Sequence, residues 1–441
     1  MLDTKPYILF FKYVIPSILG LLSISSASII DGYFVGNYVG SIGLAAINIS
    51  YPITTVLFGL ALMFAVGSSV KVGKLMGENN TLDASSVFTK SIISVSFISI
   101  LICLVLFLSL GSILDILNVQ NELRTKTFEY LPTLLIFLPF LMTAIVLDYF
   151  VRVDENPNLS FLALFSSSLV NVVLDYIFIV KFDWGISGAA YATGISQAAI
   201  ILVLLPHFFM KRATLKLVKP KGSWASILSA AKNGASEFVN ESSAGITVMI
   251  FNYIMLKNFG ATGVASYTII GYFIMISIMV SFAISDALQP IVSKNYGALY
   301  FDRIKSFLKF GFLSIIVIET IITLLILIIP ETLINIFLVD SELETKRITI
   351  EFISYAWPAF LFAGLNILIT SYLTSMQKPL YSVSIAVSRS LILPVLFIIT
   401  LPYLFGDKGI FMALAVAEFL TFVIAVNFFI KNSPKNFEVL N

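Results

Sequence analysis

Two acidic side chains, Asp31 and Asp175, lie inside stretches that otherwise read as lipid-soluble helix. Asp31 follows the apolar run 18–30, and Asp175 closes the phrase Asn171-Val-Val-Leu-Asp175 within a segment covering 159–180. An ionisable group at that depth costs roughly 2.5–3.5 kcal/mol on insertion scales, so it belongs against a wet cavity or a partner. A carboxyl in such a place can hold a proton or a small cation, and that chemistry points to a membrane protein that handles ions.

The elements that must position these acids are read from composition and hydropathy. The chain has 441 residues, 58% of them hydrophobic and 12% charged. A soluble domain carries about 25% charged residues, and runs of 20 or more apolar residues need a bilayer around them. The expectation is an all-α integral membrane protein. A formal net charge of +2 gives no reason to expect nucleic acid as a partner. Cys103 and His207 are the only residues of their kinds, which excludes a disulfide, a Cys/His zinc site and a catalytic triad. Cys103 reads as a packed core residue and His207 as interfacial, beside Lys211 and Arg212. There is no Walker-type glycine loop, so the chain reads as no enzyme and its energy would come from a gradient. Lys5 and Lys12 precede a run too long for a cleaved signal, and this predicts an uncleaved first span.

Apolar stretches predict twelve transmembrane helices over 13–37, 47–75, 89–112, 128–151, 159–181, 187–210, 234–257, 264–292, 307–329, 350–375, 380–405 and 409–430. Counted with the adjoining helix ends, the N-terminus, the even-numbered loops and the C-terminus hold 19 Lys and Arg against 7 in the odd-numbered loops. That imbalance places both termini in the cytoplasm. The densest basic stretch, Lys211 to Lys232, reads as an orientation signal touching anionic lipid headgroups. It divides the chain into an N-terminal lobe with its following loop, 1–220, and a C-terminal lobe, 221–441. At a shift of 220 residues, Gly40, Gly43, Ala45, Lys74 and Gly77 return as Gly260, Gly263, Ala265, Lys294 and Gly297. Tyr149 and Pro157 return as Tyr372 and Pro379 with one gap. Six helices per repeat predict two pseudo-symmetric six-helix bundles, a construction in which transporters bind substrate between the lobes.

These residues resemble the MATE (multidrug and toxic compound extrusion) family, nearer its DinF/MepA-like branch than its NorM-like one. The matching phrases are Asp31-Gly-Tyr-Phe-Val-Gly36 continuing to Pro52, Gly73-Lys-Leu-Met-Gly77, Arg152-Val-Asp-Glu-Asn-Pro157 and Asn171 to Asp175. They continue in Gly185-Ile-Ser-Gly-Ala-Ala-Tyr-Ala-Thr193 and in Gln289-Pro290 leading to Asn295-Tyr-Gly297. The resemblance covers essentially the whole chain. It implies a cell-membrane, multi-pass exporter of lipophilic, often cationic small molecules, driven by exchange with Na+ or H+ and needing no other cofactor. It also implies a cation-binding and coupling set of Asp31, Asn171, Asp175 and Thr193, with Na+ a possible occupant. The acidic residue of helix 10 in NorM-like members is absent, because 352–377 contains no Asp or Glu and Gly364 falls near its place.

Depth along the predicted helices agrees with that set. At about 1.5 Å per residue, Asp31 and Asp175 lie about 27 and 24 Å from the cytoplasmic helix ends, and Thr193 roughly 21 Å from that face. Asn171 and Asp175 share a helix face, as do Thr193 and Gln197. Carboxylates, an amide oxygen and a hydroxyl make an all-oxygen set suited to a hard cation or to a proton shared between acids.

Gln197 and Glu241 are candidates for the substrate cavity, while Glu237 and Asp286 read as interfacial. Arg389 and Glu418 come out at similar depth and are expected to form a structural ion pair. Glu319 has no partner readable from the sequence. The competing function is a lipid-linked saccharide flippase of the same superfamily, which would need several intramembrane Arg or Lys to hold a phosphate. Twelve helices can close a pathway within one chain, so a monomer among membrane lipids is expected.

Overall fold

A computed structural model describes residues 1–337 and 343–438, and among them every regular element is helical. Apolar sequence in a bilayer has no water to satisfy its backbone, so helix is the local solution throughout. The first six long helices are α1 (Pro6–Phe34), α2 (Ser41–Gly77), α3 (Thr81–Ile116), α4 (Asn121–Val153), α5 (Pro157–Asp175) and α6 (Gly185–Leu204). A short α7 (Ala225–Asn233) precedes α8 (Ala235–Gly297), a continuous run broken only at Gly260, where φ is 66° and ψ −155°. There follow α9 (Phe301–Ile328), α10 (Pro330–Ile334), α11 (Leu343–Ala356), α12 (Pro358–Ser375), α13 (Pro379–Val387), α14 (Leu393–Phe405), α15 (Asp407–Lys431) and α16 (Pro434–Glu438).

Among the described residues eleven helical stretches are long and apolar enough to cross a membrane, and Ala235–Gly297 contains two spans. The twelve expected spans are therefore all present, most of them longer than hydropathy alone suggested. Span 10 departs from the expectation of one unbroken helix: α11 ends at Ala356 and α12 starts at Pro358, whose ring cannot continue the preceding turn. Exposed apolar rows such as Leu101, Leu104, Val105 and Leu108 on α3 suit a lipid environment.

The chain forms two compact units. One comprises Met1–Leu2 and Phe11–Gly234, the other Asp3–Phe10 and the described residues from Ala235 onward. In the first, Phe88 packs against Phe150 and Phe208 with ring centroids 4.8 and 4.5 Å apart. The connecting segment belongs to this unit because it is tied down. The Lys90 ammonium donates to the carbonyls of Lys221, Gly222 and Ser223, and Gly67 and Gly234 let α2 and α7 meet backbone to backbone. In the second unit, Phe251 stacks on Tyr267 at 5.1 Å, Phe352 packs on Phe411 at 4.9 Å, and Arg303 donates to the Thr4 carbonyl at 2.7 Å.

The sequence echo has a conformational counterpart inside each unit. Gly40 (φ 93°) and Gly260 (φ 66°) both break the chain between first and second span. Asn79 and Leu299, again 220 residues apart, both adopt positive φ at the next turn (59° and 61°).

Candidate functional site

Asp31 lies three residues before the end of α1, and Asp175 is the last residue of α5. Each is followed by a π-helical segment, Val35–Val39 and Tyr176–Lys181 respectively. Such wide turns inside α-helices occur frequently at functional sites. Asp175 is fully buried with neither carboxyl oxygen hydrogen-bonded, and the Oδ1 of half-buried Asp31 is equally unpartnered. The charge of Asp31 acts on Asp175, and both act on the buried phenol of Tyr130 from α4. Among the described residues no Lys, Arg or His acts on either carboxyl. Two acids from separate helices thus lie within electrostatic reach of one another, and no basic side chain acts on either among the described residues.

Asn171 stands one turn before Asp175, buried on the same helix. Thr193 and Gln197 are half-buried on α6, which packs against α5. No hydrogen bond joins Asn171, Thr193 or Gln197 to either acid; the Thr193 carbonyl instead accepts from the Ser196 hydroxyl at 2.7 Å. Lys181 is exposed, with its ammonium 5.6 Å from the Tyr176 ring. Tyr130 is a residue that sequence reasoning missed. It is an ordinary aromatic near the start of an apolar helix, and nothing in its neighbourhood announces two distant carboxyls.

The other charged spans sort differently. Arg389 and Glu418 pair at 3.0 Å, as expected, and Asn366 Nδ2 donates to Glu418 Oε2 at 2.7 Å. Arg389 itself lies in a third π-helical segment, Ser388–Ile392. Glu319 is 1% exposed and accepts from Ser277 and Ser281, each at 2.6 Å. Glu237, expected at a solvated interface, is instead buried, and the charges of Asp286 and Glu241 act on it. Gln289 donates to Asp286 at 3.2 Å.

His207 also departs from its expected interfacial place. It is buried, with Nε2 2.7 Å from Asp154, and Asp154 also accepts the backbone N–H groups of Thr214 and Leu215 at 3.0 Å. A buried imidazole needs a polar partner, and the partner here lies 53 residues away along the chain. Nearby, Asp148 takes both the Arg152 guanidinium and the Ser160 hydroxyl. Among the described residues no group of three or more His, Cys, Asp or Glu could hold a metal ion.

Comparison with known proteins gives a consistent result. The MatE family profile matches residues 16–177 and 237–400. The multidrug export protein MepA of Staphylococcus aureus (strain MSSA476) is 26% identical over 420 residues, covering 94% of this chain and 91% of that protein. The protein of the same name from Staphylococcus haemolyticus (strain JCSC1435) is 26% identical over 427 residues, covering 96% and 93%. Among solved structures, a MOP superfamily transporter from Pyrococcus furiosus aligns with a TM-score of 0.89 at 20% identity, over 96% of this chain and 95% of that one. An outward-facing multidrug resistance MATE family transporter gives 0.89 at 20% identity, over 96% and 94%. At such identities the two structures speak for the fold alone.

Proposed function

The chain belongs to the MatE family and is a multi-pass membrane protein, and from that premise we propose that it exports lipophilic, cationic small molecules in exchange for Na+ or H+. The observation that carries this reading is that Asp31 and Asp175 lie within electrostatic reach of one another inside membrane spans, with no basic group acting on either among the described residues. A buried carboxyl pair of that kind cannot hold two full charges cheaply, so its natural occupants are a proton or a small cation. Asn171 and Thr193 are the neutral oxygens available to complete coordination of Na+, and Gln197 and Glu241 are the proposed contacts of the substrate.

Cation binding would remove one of the pair's two negative charges and change which conformation of α1 and α5 is favoured, through their π-helical segments. Coupling then requires that ion and substrate prefer different conformations; tight binding to both would move nothing. The proposed setting is the cell membrane with both termini in the cytoplasm, and the proposed working unit is a monomer.

The saccharide flippase reading loses its best residue. Arg389, which could have held a lipid phosphate, is committed to Glu418. Uptake of a fluorescent lipophilic cation into inverted membrane vesicles, driven by Na+ or H+ held at higher concentration in the lumen and imposed separately, tests the exporter reading. Neither gradient driving wild-type uptake would sink it.

A further inference from the structure

Glu319 lies at the centre of a polar group that the exporter reading leaves unused. Its carboxyl accepts Ser277 on Oε2 and Ser281 on Oε1, the two serines standing one turn apart on α8. Gly364 on α12 makes room for it: a Cβ there would come within 2.9 Å of Oε1, inside normal contact distance. The Glu319 carboxyl thus reaches over from α9 into the space that glycine leaves. The charges of Arg389 and Glu418 both act on Glu319, and no other acid or base does. Arg389 is paired with Glu418, which also takes the Asn366 amide. Two oxygens beside this group are buried with no partner: Oδ1 of Asn366, and the hydroxyl of Thr323 one turn along α9.

Charge bookkeeping on this group does not close. Two carboxyls and one guanidinium leave one negative charge uncompensated within apolar spans, a state that burial strongly disfavours. Arg389 already spends its charge on Glu418, and serine hydroxyls solvate a carboxylate without neutralising it. We propose that Glu319 is a proton-binding site of the second unit, separate from Asp31 and Asp175, whose proton neutralises the Glu319–Arg389–Glu418 group. Loss of that proton breaks the carboxyl O–H bond, passes the proton to water, and leaves a carboxylate competing with Glu418 for the Arg389 guanidinium. Taken with the exporter reading, on which only this last use rests, the site carries a coupling proton additional to that of the first unit.

The test is infrared spectroscopy of the full-length protein in lipid nanodiscs at neutral pH, with glutamate carboxyls isotopically labelled. A protonated glutamate C=O band is expected that shifts on labelling, disappears in E319Q, and disappears also in E418Q, where the freed Arg389 guanidinium compensates an ionised Glu319. The S277A/S281A double variant, which leaves every ionisable group in place, should move the band without removing it. A band that persists in E319Q, or one that does not move in the serine variant, overturns the proposal. Proton release on binding tetraphenylphosphonium should fall by one proton per bound cation from wild type to E319Q; equal, non-zero release overturns the exchange. Absence of release in wild type with the labelled band intact counts against the exporter reading and leaves the proton site supported by its spectrum.

Discussion

A carboxyl in an apolar span is tolerable only if something neutralises it, and the two units meet this constraint by different means. Asp31 and Asp175 lie within electrostatic reach of each other and of Tyr130, with unpartnered oxygens, whereas Glu418 is closed off by Arg389 and Asn366. Substituting Asp31 or Asp175 by Asn removes the exchangeable charge while preserving shape. Each variant should lose gradient-driven efflux by tenfold or more, about 1.4 kcal/mol of coupling, while still binding substrate. Wild-type ion-driven efflux in both variants would remove these residues from the mechanism. At the closed pair, R389A leaves Glu418 buried and unpaired, a loss of about 3–5 kcal/mol. Thermal unfolding of R389A, E418A and the double variant should show strong non-additivity, with the double variant less destabilised than the two singles combined. Asp31 and Asp175 were legible in the sequence because their cost is visible wherever they stand. Tyr130 was not, because a phenol among apolar residues carries no local signal.

At the level of elements, helix breaks do more positioning than helix interiors. Gly40, Gly260 and Gly406 adopt backbone conformations of positive φ with ψ near −140 to −180°, a region open in practice only to glycine and costing another residue about 1–3 kcal/mol. G260A should lower the unfolding temperature and reduce transport together, because the turn that separates the two spans of α8 would have to rearrange. Unchanged stability in G260A would show that this turn is not under the constraint its dihedrals indicate. The π-helical segments are a second device. One follows Asp31, one follows Asp175 and one contains Arg389, so each charged site adjoins a place where helix register can change at modest cost. Hydropathy reads through such segments without noticing them, which is why the spans were found and their irregularities were not. The break at Trp357–Pro358 was different: Pro358 stands at the start of α12, and Pro394 in the first turn of α14 just after the third π-helical segment, while Pro16 and Pro139 sit inside α1 and α4 without interrupting them.

For the whole molecule, the duplication is visible in matched backbone conformations as well as in letters. It also shows where the halves have diverged. At the offset that relates Pro157 to Pro379, Ser167 and Ser196 of the first unit correspond to Arg389 and Glu418 of the second. There the first unit has a hydroxyl-to-carbonyl hydrogen bond of 2.7 Å and the second an ion pair of 3.0 Å. Orientation in the membrane is a property of the complete chain and rests on the basic-residue imbalance. In a C103S background, K219C should be labelled by a membrane-impermeant maleimide in inverted vesicles and protected in intact cells. The reverse pattern would invert the proposed topology and, with it, the direction of transport.

The sequence by itself determined the helical class, twelve spans, the internal repeat, and the presence of acids too costly to lack a purpose. These follow from hydropathy, periodicity and composition, which are written locally and can be read one segment at a time. Tertiary structure alone decided who comes within reach of whom: Asp31 with Asp175 and Tyr130, Glu319 with Ser277 and Ser281, His207 with Asp154. Each of those approaches depends on how a helix is rotated about its axis against neighbours dozens of residues away, and no window along a single chain segment contains that angle.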